Sequence, residues 1–294
     1  MKEHFGQDNI PVCIALGFFD CVHVAHRKII NSMINYAKSN HMSSAVFTFK
    51  DQGISSFKNK LIYTYFERLS VLEKMGVEYV VPFVFDENSK KMKWIDFLST
   101  LFSKINVKAV FCGYDYTFGY KGEGNVELLK EYCSKIGVEV FVFQPIRNSK
   151  NEIISSSYIK GLLNDGNIEE VNNLLGDNYF IESKIIKGRG QGHIFGIPTA
   201  NNEVLTDKIL PKPGVYATMT CVNGKTYNSV TNVGIKPTFS DNSISVETLI
   251  DGFNGDLYDK TLKVEFIKYL RNITKFDSPA QLNEQIKKDL QWRK

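Results

Sequence analysis

Apolar and polar positions in the first half of the chain follow two alternating periods. Short β-rich runs at 13–19, 44–49, 79–85, 108–112 and 138–144 are separated by stretches with helical spacing at 26–39, 65–75, 94–105 and 126–136. Parallel strands need crossover connections, so this β-α-β-α order predicts a parallel sheet with helices on both faces. In such an α/β domain, ligands sit at the carboxyl ends of the strands.

The pattern changes after Gln144. Residues 155–164 and 168–175 read as two short helices, and Gly176-Asp177-Asn178 reads as a break. A domain boundary is expected there, giving domains 1–177 and 178–294. From Phe180 onward the signals are mostly strand and turn. Two β-rich runs, 215–220 and 227–233, flank Asn223-Gly224. That dipeptide is a strong hairpin signal, because a type I′ turn needs positive φ at both central residues. Residues 262–267 alternate cleanly and add a strand. The last helix is marked by Ser278 as N-cap, Pro279 at the first helical position and Gln281 completing a capping box. Leu282, Ile286 and Leu290 then share one face. The second domain is therefore expected to be a mainly antiparallel β structure, a barrel, with a C-terminal helix packed on it.

Composition adds little to this picture and removes several alternatives. At 294 residues, 43% apolar and 23% charged, the chain has the profile of a globular protein with room for two cores. Its formal charge of +4 is spread along the sequence, so no nucleic-acid partner is suggested. Five cysteines without a C-x-x-C pair point to reduced thiols rather than a disulfide framework or zinc ribbon. The apolar run at 12–19 is too short to cross a bilayer and has no cationic, signal-like lead-in. No membrane partner and a cytoplasmic location are the expectations.

Two segments carry candidate chemistry. The first, Gly17-Phe-Phe-Asp-Cys-Val-His-Val-Ala-His26, runs from the end of the first strand into the first helix. Free N–H groups and the positive end of a helix dipole make that junction a natural phosphate site. His23 and His26 have the spacing to hydrogen-bond an α-phosphate and stabilise charge as pyrophosphate leaves. Metal binding by Cys21, His23 and His26, or a purely structural role for both histidines, stays open.

The second segment, Lys187-Gly-Arg-Gly-Gln-Gly-His-Ile-Phe-Gly-Ile-Pro-Thr-Ala-Asn201, is dense in glycine, Gly192 included. Backbone amides in such a run can close around phosphates, although a surface loop explains it equally well. Thr199 and Asn201 place a hydroxyl and an amide oxygen two residues apart, the oxygen donors Mg²⁺ prefers. Glu247 is either a proton acceptor for an alcohol or a solvent-facing strand residue. Arg271 is either a ligand contact or a surface ion pair.

The first motif resembles the nucleotide-binding signature of the bacterial bifunctional riboflavin kinase/FAD synthetase family. It is followed in family order by Gly113-Tyr-Asp-Tyr-Thr-Phe-Gly119, by Gly124 leading into Leu128-Leu129, and by Ile154-Ser-Ser-Ser-Tyr-Ile-Lys160. Gly-x-Pro-Thr-Ala-Asn is similar to the hallmark of riboflavin kinases. Gly214-Val-Tyr-Ala217, Asn232-Val-Gly-Ile-Lys-Pro-Thr-Phe239, Val246-Glu-Thr248, Gly255-Asp-Leu-Tyr258 and Leu270-Arg271 continue that match.

The resemblance implies a Rossmann-like nucleotidyltransferase domain and a kinase barrel. It implies catalytic roles for Glu247, His23 and His26, and nucleotide contacts at Gly17, Phe18, Asp20, Asp115, Ser155, Ser156, Lys160, Gly192, Thr199 and Asn201. It also implies flavin contacts at Asn232 and Arg271, and Mg²⁺ on Thr199 and Asn201. The implied substrates are riboflavin, FMN and ATP. The expected function is phosphorylation of riboflavin to FMN followed by adenylylation of FMN to FAD. The alternatives are a kinase with a degenerate first domain, a non-catalytic flavin-binding regulator, or a nucleotidyltransferase acting on another phosphate ester. Cys21 and Ala25 stand where the family has glycine. A cysteine there would strain a turn that wants positive φ, and Ala25 adds a methyl beside the adenine.

Overall fold

The computed structural model describes residues 2–3, 10–50, 60–187, 198–238 and 241–292. The chain divides into two compact units, Met1–Ser156 and Ser157–Lys294.

The first unit contains β1 (Lys2–Glu3), β2 (Val12–Leu16), α1 (Val24–Ser39), β3 (Ser43–Lys50), α2 (Tyr65–Lys74) and β4 (Tyr79–Val84). It continues with α3 (Trp94–Lys104), β5 (Val107–Gly113), α4 (Val126–Lys135) and β6 (Glu139–Phe143). The strands form one sheet in the order β1-β4-β3-β2-β5-β6, and every neighbouring pair is parallel. All five residues of β2 are buried, as a central strand covered by helices on both faces requires. On one face Val12, Ile14, Leu16, Phe47, Phe97 and Leu98 join the main core. β2 stops at Leu16, three residues before the run of apolar residues does, because Phe19 turns into the left-handed region at φ 52°.

Ser156 opens α5 (Ser156–Asp165), which is followed by α6 (Ile168–Leu175). Gly176 ends α6 in the left-handed conformation at φ 68°. Asn172 of α6 ties it to the barrel: its Nδ2 donates to the Phe266 carbonyl at 2.9 Å, and its Oδ1 accepts from Tyr179 N–H at 2.8 Å.

The barrel comprises β7 (Phe180–Ile186), β8 (Ala200–Asn202), β9 (Gly214–Val222), β10 (Lys225–Thr238), β11 (Asp241–Ile250) and β12 (Thr261–Arg271). It is closed in the order β10-β11-β8-β7-β12-β9. All its pairings are antiparallel. The β9–β10 hairpin turns on Asn223 (φ 51°) and Gly224 (φ 78°), the two positive values a type I′ turn needs.

Inside, Tyr216, Val233, Val264 and Phe266 pack beside a chain of buried hydroxyls, Thr220–Ser229–Thr218–Thr231–Thr248, with links of 2.8–2.9 Å. Each hydroxyl satisfies its neighbour, which is why a polar row can sit in a dry core. α7 (Pro279–Leu290) is the last helix among the described residues. Its N-cap Ser278 accepts from Gln281 N–H at 3.3 Å, but the Gln281 side chain takes the Asp277 N–H instead of closing a capping box. Among the described residues, no helix is long and apolar enough to cross a membrane.

Candidate active sites

In the first unit, the carboxyl ends of the strands surround a cavity of about 710 Å³. Gly17, Phe18, His23, His26, Asp115, Ser155 and Ser156 line it, together with Ala25. Asp20 does not. It is buried behind the wall, and its Oδ1 accepts the Ile62 N–H at 3.0 Å, which fastens the motif to the segment before α2. Lys160 lies in α5 within the second unit, four residues beyond Ser156.

His23 is the N-cap of α1, its Nδ1 accepting the His26 N–H at 3.3 Å. The first turn of this 16-residue helix carries no acidic residue, so its dipole is left for an anion. The two imidazoles stack at 3.6 Å between centroids, and Phe19 meets His26 edge-on at 5.1 Å. Burial pushes His23 down to about 4, against an opposing backbone hydrogen bond. Burial, and then the proximity of His23, holds His26 well below its ordinary value. Both rings are thus neutral at physiological pH, each able to offer an N–H without the cost of burying a cation.

The strain expected at Cys21 falls elsewhere. The positive-φ residues of the motif are Phe19 and, at φ 47°, the β-branched Val22. Such backbone costs about 1–3 kcal/mol and is held by the surrounding structure; both side chains are almost wholly buried. The Cys21 thiol rests 3.6 Å from the Ser156 hydroxyl.

Sequence reasoning missed the aromatic wall of this cavity. Phe47 and Phe49 of β3, Phe83 of β4, Phe97 of α3 and Phe118 line it, with neighbouring rings 5.4–5.6 Å apart at Phe47–Phe97, Phe49–Phe83 and Phe97–Phe118. The signal was present as phenylalanines two apart on one strand face.

In the barrel, register assembles the second site. Asn201 of β8 pairs with Glu247 of β11, Glu247 with Asn232 of β10, Asn232 with Val215 of β9, and Val215 with Arg271 of β12. Cross-strand partners point to the same face, so residues distant in sequence stand in one row over five strands. Thr199, Glu247, Asn232 and Arg271 line a cavity of about 350 Å³, closed on one side by Leu282, Ile286 and Asp289 of α7. The Asn232 Oδ1 is buried without a hydrogen-bond partner, an acceptor left for a ligand.

Arg271 donates through Nε to both Asp289 oxygens (3.2 and 3.1 Å) and through Nη2 to Oδ2 (2.7 Å). Asp289 is buried, and Gln285 donates to its Oδ1 at 2.8 Å. The pairing therefore docks α7 on the cavity rather than decorating the surface.

A second barrel cavity, about 440 Å³, is lined by Thr199, Thr248, Phe253, Asp256 and Tyr258 among others. Thr199 borders both cavities, and the adjacent Glu247 and Thr248 face one each, as strand alternation requires. Gly192 and most of the glycine-rich run lie outside the described residues, as does the segment after Lys50.

A cavity at the carboxyl ends of a parallel sheet and two cavities on a closed barrel, meeting at Thr199, give the chain candidate sites in both units. The FAD synthetase family model matches residues 6–158, and the riboflavin kinase model residues 175–294. The chain is 33% identical over 286 residues to the bifunctional riboflavin kinase/FMN adenylyltransferase of Bacillus subtilis, covering 95% of this chain and 90% of the relative. It is 32% identical to that of Listeria monocytogenes, over 96% and 91% of the two chains. The chain belongs to the bifunctional riboflavin kinase/FMN adenylyltransferase family, enzymes of flavin cofactor biosynthesis. A crystal structure from Streptococcus pneumoniae described as a macrolide-efflux protein shares the fold at a TM-score of 0.85 and 29% identity, over 98% of this chain and 94% of that one.

Proposed function

We propose that the barrel phosphorylates riboflavin with Glu247 as general base, and that the sheet unit adenylylates the resulting FMN with His23 and His26 as hydrogen-bond donors to the α-phosphate of ATP. Kinases and adenylyltransferases of this family use ATP. The observation that carries the reading is the Glu247–Thr248 step, which gives one strand a face in each of two cavities that meet at Thr199.

In the barrel, the apolar cavity under α7 suits the flavin, with Asn232 and Arg271 at its edge, and the cavity beyond Thr199 suits ATP. Glu247 accepts the proton as the ribityl hydroxyl oxygen bonds to the γ-phosphorus and the bond to the β-phosphate oxygen breaks. Thr199 and Asn201 offer the neutral oxygen donors that Mg²⁺ takes. Thr199, half-buried where the two cavities meet, and Asn201, in register with Glu247, give this corner neutral oxygen donors that fit the ion. When bound, Mg²⁺ neutralises phosphate charge; Glu247 still has to hold the proton.

In the sheet unit, a phosphate oxygen of FMN bonds to the α-phosphorus of ATP and pyrophosphate leaves. Neutral His23 and His26 donate to the α-phosphate oxygens at the start of α1, and Gly17 keeps the backbone within reach. A Cβ at Gly17 would lie 2.8 Å from the Phe19 ring. Asp115, Ser155 and Ser156 supply polar contacts on the same wall, and the phenylalanines supply a flat apolar surface for an aromatic ring system. A kinase-only reading draws on Ala25, whose methyl lies on the cavity wall.

Purified protein incubated with Mg²⁺, ATP and either riboflavin or FMN, followed by separation of the flavins, tests both steps. FMN from riboflavin and FAD from FMN are the expected products. FMN without FAD would leave the kinase alone, and neither product would remove both activities.

A further inference from the structure

Cys21 takes no part in the chemistry above, yet it belongs to the one group, among the described residues, in which three His, Cys, Asp or Glu side chains bring donor atoms together. Its Sγ and one nitrogen each from His23 and His26 all lie within 4.8 Å of one another. We propose that Cys21, His23 and His26 form a binding site for a thiophilic divalent cation, Zn²⁺ above all, and that its occupation shuts off adenylylation while leaving the barrel active.

The donor set is two imidazoles and a thiol. Thiolate and imidazole select zinc and similar ions, whereas Mg²⁺ demands oxygen. A tetrahedral zinc ion, with bonds of about 2.0–2.3 Å, separates its donors by roughly 3.3–3.6 Å. Closing from at most 4.8 Å requires the two imidazoles, stacked now at 13° between planes, to turn out of the stack so that a nitrogen of each aims at one point in its own ring plane.

An independent observation points to a ligand. The Nδ1 of His26 is buried and has no hydrogen-bond partner, while the Nδ1 of His23 is engaged as the helix cap. The cap leaves the Nε2 of His23 for a metal. The Ser156 hydroxyl, 3.6 Å from Cys21 Sγ, is placed to support the sulfur once the thiol gives up its proton to form the metal–sulfur bond.

Three protein ligands leave a position for water or a phosphate oxygen, and His23 and His26 both line the cavity. The imidazoles cannot bind the metal and donate to an α-phosphate at once. Inhibition is therefore competitive with the role proposed for the histidines, and this arm rests on that proposal. The binding arm does not.

The test is titration of the full, metal-free chain with Co²⁺, which reports sulfur ligation by a near-ultraviolet charge-transfer band together with visible d–d absorption. One equivalent is expected to produce both. Cys21→Ser should remove the charge-transfer band, and Cys221→Ser should leave it. A band that persists in Cys21→Ser, or no band in folded wild-type protein, overturns the site.

In parallel, stoichiometric Zn²⁺ is expected to lower FMN-to-FAD conversion at least tenfold and riboflavin-to-FMN conversion less than twofold. Chelation should reverse the loss, and Cys21→Gly should escape it. Equal inhibition of both steps, or equal inhibition of Cys21→Gly and wild type, overturns the regulatory claim. If metal-free protein makes no FAD at all, the adenylyltransferase reading fails, and the cobalt spectrum still decides whether the metal site exists.

Discussion

The two units handle phosphate by different means. The sheet unit relies on where its backbone stops: β2 ends, the chain bends through Phe19 and Val22 in left-handed conformations, and α1 begins with its dipole uncompensated. The barrel relies on register, setting Asn201, Glu247, Asn232 and Arg271 in one row although the chain visits them far apart. A site made at a strand–helix junction is compact in sequence and sensitive to backbone strain. One made across strands is scattered and depends on closure of the barrel.

The largest expected effect breaks the barrel side alone. Glu247→Gln keeps the shape and removes the proton acceptor, so riboflavin phosphorylation should fall by about 10²–10⁴-fold with FMN-to-FAD conversion unchanged. A second change separates docking from chemistry. Asp289→Asn weakens the bidentate hold on Arg271, whose side chain is 22% exposed against 5% for Asp289. A loss of about 2–4 kcal/mol in the stability of the barrel unit is expected, discounted for the solvated side of the pair. Chemical denaturation would read it, with a raised KM for riboflavin and a smaller change in kcat.

The sheet side has its own signature in pH. The folded His23 imidazole sits at about 4, against an ordinary value of 6.5. The unfolded chain takes up that proton as pH falls through 6.5, and the folded unit resists until about 4. Stability from this group is therefore full above 6.5 and drains away as pH falls across that window, by on the order of 3 kcal/mol. Denaturation midpoints measured from pH 7 to 4.5 should show the loss, and His23→Asn, which keeps a capping side chain, should reduce it, the remainder belonging to His26, which burial also holds low. The smallest effect belongs to the barrel interior. Thr231→Val cuts the hydroxyl chain between Thr218 and Thr248 and should cost about 1–2 kcal/mol without altering either activity.

How much of this was legible in the sequence follows the same division. Period-two runs and helical spacing marked the five longer sheet strands and the helices to within about three residues, a usual boundary error. The Asn223-Gly224 turn was readable because its chemistry is local. The edge strand β1, two residues long, left no periodic trace. Gly17, His23 and His26 could be picked out together because the junction that unites them is ten residues long. That Asp20 braces Ile62 rather than facing the cavity was not readable, since its partner lies 42 residues away. Glu247, Asn232 and Arg271 were found by motif, but their common row depends on strand order, which a linear pattern does not encode. Asp289, which carries Arg271, passed unnoticed as one more polar residue on the last helix.

If the chain holds two independent sites working in sequence, variants that each lack one of them should complement each other when mixed. Given riboflavin, ATP and Mg²⁺, Glu247→Gln alone should make neither FMN nor FAD, and His26→Ala alone should stop at FMN. An equimolar mixture of the two variants should make FAD, because FMN released by one protein is consumed by the other. Failure of the mixture, with each variant folded and Glu247→Gln unable to adenylylate added FMN, would contradict two separable sites.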